Sequence, residues 1–284
     1  MATPHTILSD EAEPRIQFAT LQQLFKEIET TTSDELVVQN VSRQDYDSIS
    51  REREARTRKF GLRCYYADLH LMIVTIPRWA HEHSHTSLYG EIFILLHLMG
   101  ITSVEWGAGG HTTYERPNGD AGEGDSTGVP IIRARAGSQP WPTLVIESGF
   151  SQSLASLRTK MRWWFSASGH EVKIVVLINL CRAQRKMVVE KWVERPVPLR
   201  PEPATTLDTS AALEPTVLCD QIVTVEPRPA NTTHQAPASY VVTRGPLRLE
   251  FHLLLLRAPS EPGEGDVVVP VRFFEGLAER VWLR

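Results

Sequence analysis

Cysteine is scarce in this 284-residue chain. Cys64, Cys181 and Cys219 stand far apart, are odd in number and make no Cys-x-x-Cys pair. That excludes a disulfide framework and fits a reducing interior. Long hydrophobic runs are also absent: runs such as residues 253–256 and 174–178 are far below the roughly 20 residues of a membrane helix. The opening Met-Ala-Thr-Pro-His-Thr-Ile-Leu-Ser-Asp lacks the basic and apolar regions of a secretory signal. The expectation is an intracellular protein of cytoplasm or nucleus with no membrane partner. Positive charge is in deficit as well, with 30 Lys and Arg against 34 Asp and Glu and a net charge of −4. Bulk electrostatics therefore gives no drive toward nucleic acid. One local exception is residues 51–63, which hold six basic and two acidic side chains. Either this is a solvated helix face laced with i,i+4 pairs, or it is an arm that sets Arg56, Arg58 and Lys59 against phosphates. There is no Gly-x-Ser-x-Gly elbow, and the glycine-rich segment 107–124 lacks the Gly-Lys-Ser/Thr ending of a phosphate-binding loop.

What is present is an ordinary globular balance, 42% hydrophobic and 23% charged. Apolar spacing predicts helices over 18–30, 81–99, 151–168 and 273–282, and high helix propensity adds one over 45–58 despite few apolar positions. Strands are expected at 69–76, 102–106, 129–133, 143–147, 172–180, 186–193, 221–225 and 247–251, with 107–124 as a loop or hairpin tip. Alternating strands and helices imply an α/β protein with a mixed sheet flanked by helices. The organisation reads as an N-terminal helical arm (1–60), a core (61–195), a Pro-rich connection (196–240) and a C-terminal extension (241–284).

The most informative stretch is Trp141-Pro-Thr-Leu-Val-Ile-Glu147-Ser-Gly. A buried strand ends there in a lone carboxylate, followed by an amphipathic helix and a second buried strand. Asp125 precedes another apolar run. Two carboxylates at neighbouring strand ends can hold a hard divalent cation and activate water against a phosphodiester. On the following helix Arg158 lies beside the apolar stripe and is expected to face partly inward, with Lys160 further out. Trp163 falls opposite the stripe, where it could stack on a base or be covered by another part of the chain.

These pieces resemble the PD-(D/E)XK restriction-endonuclease-like superfamily, and within it a branch of domains from uncharacterised fungal proteins. The matching residues are Ile76-Pro77 with His81-Glu82, Gly124-Asp125-Ser126 with Pro130, the 141–149 stretch, Ser151-Gln-Ser-Leu154 with Leu157-Arg158 and Trp163-Trp164, Val172-Lys-Ile-Val and Glu190-Lys-Trp192. The resemblance covers roughly residues 69–192, and it implies a restriction-endonuclease-like core cutting DNA or RNA with Mg²⁺ or Mn²⁺. Its metal acids would fall on Asp125 and Glu147, and its first-helix acid on Glu82. The lysine of Glu-x-Lys is missing, since Glu147 is followed by Ser148 and Gly149. Some relatives carry that lysine on the next helix, which brings in Arg158 or Lys160. The alternative implied by the missing lysine is a silent nuclease fold that binds nucleic acid or a protein.

A separate motif, His81-Glu82-His83-Ser84-His85, is a literal His-Glu-x-x-His. On a helix it could hold Zn²⁺ through His81 and His85, with Glu82 as base and Glu105 as third ligand of a metallopeptidase. The competing reading is a pair of packed, hydrogen-bonded histidines on the stripe of Leu88 and Ile92.

Overall fold

The computed structural model describes residues 14–56, 60–110, 112–134, 139–150, 153–196, 215–229 and 240–283. Two large mixed sheets are interleaved with helices, as expected for an α/β chain. The first sheet takes β1 (Arg15–Gln17), β2 (Glu35–Gln39), β3 (Gly61–Tyr66), β4 (Leu71–Thr75), β6 (Thr113–Glu115) and β7 (Ala121–Glu123), in the order β1-β2-β4-β3-β7-β6. Alternate residues separate its faces. Leu36, Val38, Met72 and Val74 pack with Leu24, Phe25 and Ile28 of helix α1 (Leu21–Thr30) and Ile49 of helix α2 (Arg43–Glu54). Val37, Leu71 and Ile73 look the other way, toward the middle of the molecule. Helix α2 begins with a reciprocal capping box in which Ser42 and Asp45 satisfy each other's backbone N–H.

The second sheet takes β5 (Trp106–Ala108), β8 (Ser126–Pro130), β9 (Leu144–Gly149), β10 (Ile174–Cys181), β11 (Lys186–Pro196), β12 (Pro215–Pro227) and β13 (Tyr240–Thr243), in the order β13-β12-β11-β10-β9-β8-β5. Strands β9 and β10 are parallel, and helix α5 (Leu154–Ala167) makes the crossover between them; the other pairs are antiparallel. Helices α3 (Trp79–Leu98) and α7 (Val271–Trp282) cover one face with Leu88, Ile92, Leu96, Phe274 and Leu277. Helix α5 covers the other, burying Leu157, Met161, Trp164 and Phe165 against Val145, Val175 and Leu177, and also against Val37, Cys64 and Ile73 of the first sheet. Each of those four α5 side chains contributes about 1.5–3 kcal/mol by burial. Helix α5 is thus a shared middle layer. The short α4 (Ile131–Ala134) and α6 (Phe251–Leu255), with the β14 (Leu247–Leu249) and β15 (Val267–Val269) pair, complete the fold.

Several boundaries differ from expectation. Residues 14–56 are more than a helical arm, because β2 pairs with β4 from Glu35↔Thr75 to Gln39↔Leu71. Residues 102–105 turn, and the strand starts at Trp106 because it must meet Pro130. The expected strand at 129–133 breaks at Pro130 into α4. Segment 107–124 holds the β6–β7 hairpin and the end of β5. Within the expected Pro-rich connection, β12 pairs with β11 over Pro215–Val225; residues 197–214 and 230–239 lie outside the described residues.

Candidate functional site

The site is built on β9, whose side chains alternate between the α3 and α5 sides. Leu144 and Ile146 face α3, Val145 faces α5, and Glu147 follows on the α5 side. Its carboxylate is fully buried, at 0% exposure. Trp164 donates its indole N–H to Oε1 at 2.6 Å and Lys160 donates its ammonium to Oε2 at 2.8 Å. Lys160 also donates to the Glu123 carbonyl at 2.8 Å. From the first sheet Arg63 reaches Glu147 Oε2 at 3.5 Å and Glu35 Oε2 at 3.4 Å. Two cations thus face two carboxylates in a sealed layer. Burial pushes the Glu147 carboxyl up, and the opposing pull of Lys160 does not cancel it, so the group stays above its ordinary value.

Lys160, expected to point further out than Arg158, is 3% exposed. The reason is helical spacing: Lys160 comes three residues after Leu157 and four before Trp164, which puts it on the stripe they form with Met161. Arg158 lies off that stripe and pairs with Glu190 through two bonds of 3.0 and 2.5 Å, away from Glu147. Trp163 is buried, not displayed, because its ring lies over Gly122 of β7, where a Cβ would come within 2.6 Å of it. It is therefore not placed to stack on a base.

Asp125, just before β8, is held beside Glu147 by chain geometry. Its Oδ2 accepts from the backbone N–H of Ser148 at 2.7 Å. On its other side His81 Nε2 stands 3.3 Å away, at ion-pair distance but without hydrogen-bond alignment. Burial alone would raise the Asp125 carboxyl, but His81, Arg63 and Lys160 hold it well below the usual carboxylate range. For His81 burial acts downward, and Asp125 and Glu82 outweigh it to lift the imidazole to about 10. Glu82 accepts from His81 Nδ1 at 3.2 Å and lies 3.4 Å from His85 Nε2. Those two contacts bring its carboxyl down to about 2. His85 Nδ1 meets the Ser126 hydroxyl at 2.9 Å. His81, Glu82 and His85 therefore offer three donor atoms within 4.8 Å of one another.

Glu105 is not among them. It precedes β5 at the Pro130 end of β8, where Arg257 binds it at 3.0 Å. Ser126, against His85, is at the opposite end, roughly 15 Å away at about 3.4 Å per strand residue. The peptidase arrangement thus loses its third ligand. Of the candidate phosphate-facing cations, Arg56 is turned to α1, its guanidinium 3.5 Å from the Phe25 ring centroid and 3.7 Å from Glu29. Arg58 and Lys59 lie outside the described residues. Arg53 is bound to Glu123 at 2.8 Å.

Comparison with protein-family models gives no match, and comparison with curated proteins gives none either.

Sequence reasoning overlooked Arg63 and Trp164 as partners of Glu147. Arg63 sits in a bulge: Leu62 pairs with Val74 and Cys64 with the next residue, Ile73, so the residue between them is extra. A bulge of this kind re-aims one side chain. The readable signal was an arginine inside an otherwise apolar strand, where a charge must find a partner.

A divalent ion shared by Asp125 and Glu147 does not fit this arrangement. Glu147 has both oxygens taken by Trp164, Lys160 and Arg63, and it reaches no solvent. Mg²⁺ keeps several waters and near-octahedral geometry, which a sealed carboxylate cannot supply.

Proposed function

We propose that this chain is a PD-(D/E)XK-like nuclease-fold protein whose acidic centre holds the core together, and that it works by binding rather than by cutting phosphodiesters. The observation that carries this reading is the closed state of Glu147: zero exposure, with an indole, an ammonium and a guanidinium on its two oxygens. A substrate phosphate has no path to such a group, and displacing the ion pairs would strand charges in a low-dielectric layer. Support for the fold reading comes from Asp125 at the start of one strand, Glu147 in its neighbour, and a lysine of the next helix touching Glu147. The net charge of −4 and the internal pairing of Arg53, Arg56 and Arg63 favour a protein partner over nucleic acid.

The same Lys160–Glu147 contact favours a second reading, metal-dependent hydrolysis of DNA or RNA. One assay separates the two. Single- and double-stranded DNA and RNA are incubated with the protein in Mg²⁺ or Mn²⁺, beside Glu147→Ala. The first reading expects no cleavage above the variant's background. Cleavage abolished by Glu147→Ala overturns it in favour of the second.

A further inference from the structure

The first turns of α3 and the start of β8 make a second cluster that the closed centre does not use. His81 and His85 are 1% and 2% exposed, while the Glu82 side chain between them keeps 39% of its surface in water. His85 Nε2 has no hydrogen-bond partner and is aimed at Glu82 Oε1, 3.4 Å away. A buried ring nitrogen without a partner is costly, and a metal is one of the few things that satisfies it.

We propose that His81 Nδ1, Glu82 Oε1 and His85 Nε2 form a site for a d-block divalent cation, Zn²⁺ or a chemically similar ion. It does not rest on the nuclease-fold reading, since its ligands are all on α3 and exclude Glu147 and Lys160.

Spacing supports it. Bonds of about 2.0–2.1 Å set neighbouring donors of a tetrahedron about 3.3–3.4 Å apart. Two of the three donor separations, those from Glu82 Oε1, are 3.2 and 3.4 Å, and the third lies within 4.8 Å, so the two imidazoles would draw together around the ion. The outer partners are of the kind such sites use. His81 turns its other nitrogen to Asp125 at 3.3 Å, and His85 turns its other nitrogen to Ser126 at 2.9 Å. A carboxylate or hydroxyl behind each imidazole fixes ring orientation and tautomer. Imidazole and carboxylate together suit Zn²⁺ better than Mg²⁺. Three protein ligands leave a fourth position, on the side where Glu82 meets solvent, for a water. On binding, the ion takes the place of the proton on His81 Nδ1, which leaves to solvent.

The test uses the full chain after chelator treatment. Zn²⁺ is titrated by calorimetry and Co²⁺ by visible absorption, in wild type and in Glu82→Ala, His85→Ala and Asp125→Asn. The expected result is one ion per chain with a low-coordinate Co²⁺ band. Affinity should fall at least tenfold in Glu82→Ala and in His85→Ala, fall about 10–100-fold in Asp125→Asn, and stay unchanged in a His170→Ala control titrated alongside. Glu82 is half in water, so its variant is the one expected to fold, and circular dichroism checks that it has. Absence of stoichiometric binding overturns the proposal. So does an affinity unchanged in folded Glu82→Ala, or one lost instead in His170→Ala, since His170 pairs with Glu194 elsewhere on the surface.

Discussion

Lys160→Met is the sharpest perturbation of the closed centre. The substitution keeps most of the side-chain volume and removes the ammonium that bridges Glu147 Oε2 and the Glu123 carbonyl, each at 2.8 Å. Glu147 would keep Trp164 and a longer contact to Arg63, itself shared with Glu35. Removing one partner of a buried pair costs about 3–5 kcal/mol, because the remaining charge stays sealed. At about 2–4 °C per kcal/mol for a domain of this size, the melting temperature should fall by roughly 6–20 °C. The companion variant Lys160→Met/Glu147→Gln removes both charges and should recover a large part of that loss, giving a coupling energy above about 1 kcal/mol in the double-mutant cycle. Thermal unfolding followed by circular dichroism and tryptophan fluorescence reads both. A lysine arranged for catalysis would behave otherwise: its removal would leave the protein equally stable or more so, as active-site groups trade stability for function. A drop below about 1 kcal/mol for the single variant, or a double variant no better than the worse single, would refute a structural role for this pair.

Other consequences are simpler to measure. Gly122→Ala would bring a Cβ within 2.6 Å of the Trp163 ring and should cost about 1–3 kcal/mol by overpacking, visible as a lower melting temperature with altered tryptophan emission. Ser42→Ala breaks the capping box of α2 and should cost about 1 kcal/mol in urea unfolding. Asp266 supplies a pH test away from the centre: partial burial pushes its carboxyl up, but the Phe251 N–H at 2.9 Å and Arg248 outweigh that and lower it. A lowered folded-state value adds stability above the unfolded carboxyl range near about pH 4, and that stability disappears as pH falls through the folded value. Melting curves of wild type and Asp266→Asn should therefore differ at pH 7 and draw together as pH falls below the ordinary carboxyl range; a gap unchanged by acid would count against the assignment.

Much of the second sheet was legible because its elements carry strong local patterns. The apolar run Leu144–Ile146, the stripe Leu157–Met161–Trp164 and the parallel partner at Ile174–Ile178 identify strand, helix and strand without reference to distant residues. The first sheet was poorly legible for the opposite reason. Its strands come from residues 15–17, 35–39, 61–75 and 113–123, most are short, and beyond the β3–β4 and β6–β7 hairpins the pairings β2–β4 and β3–β7 join segments distant in sequence. Within the site, Asp125 and Glu147 were readable from position alone. Their neighbours were not: the choice between Arg158 and Lys160 turns on a fraction of a helical turn, and the Glu190 that claims Arg158 is 32 residues away. The arginine that meets Glu147 comes from a bulge, an irregularity that apolar periodicity does not report.

That one extra residue in β3 acts as a register lock. Sliding β3 by a single position against β4 would swing Arg63 toward the α1–α2 side and leave Glu35 and Glu147 without the guanidinium that joins them. A slipped register is therefore penalised electrostatically as well as by packing, because it would take away the guanidinium that ties the first sheet to the second.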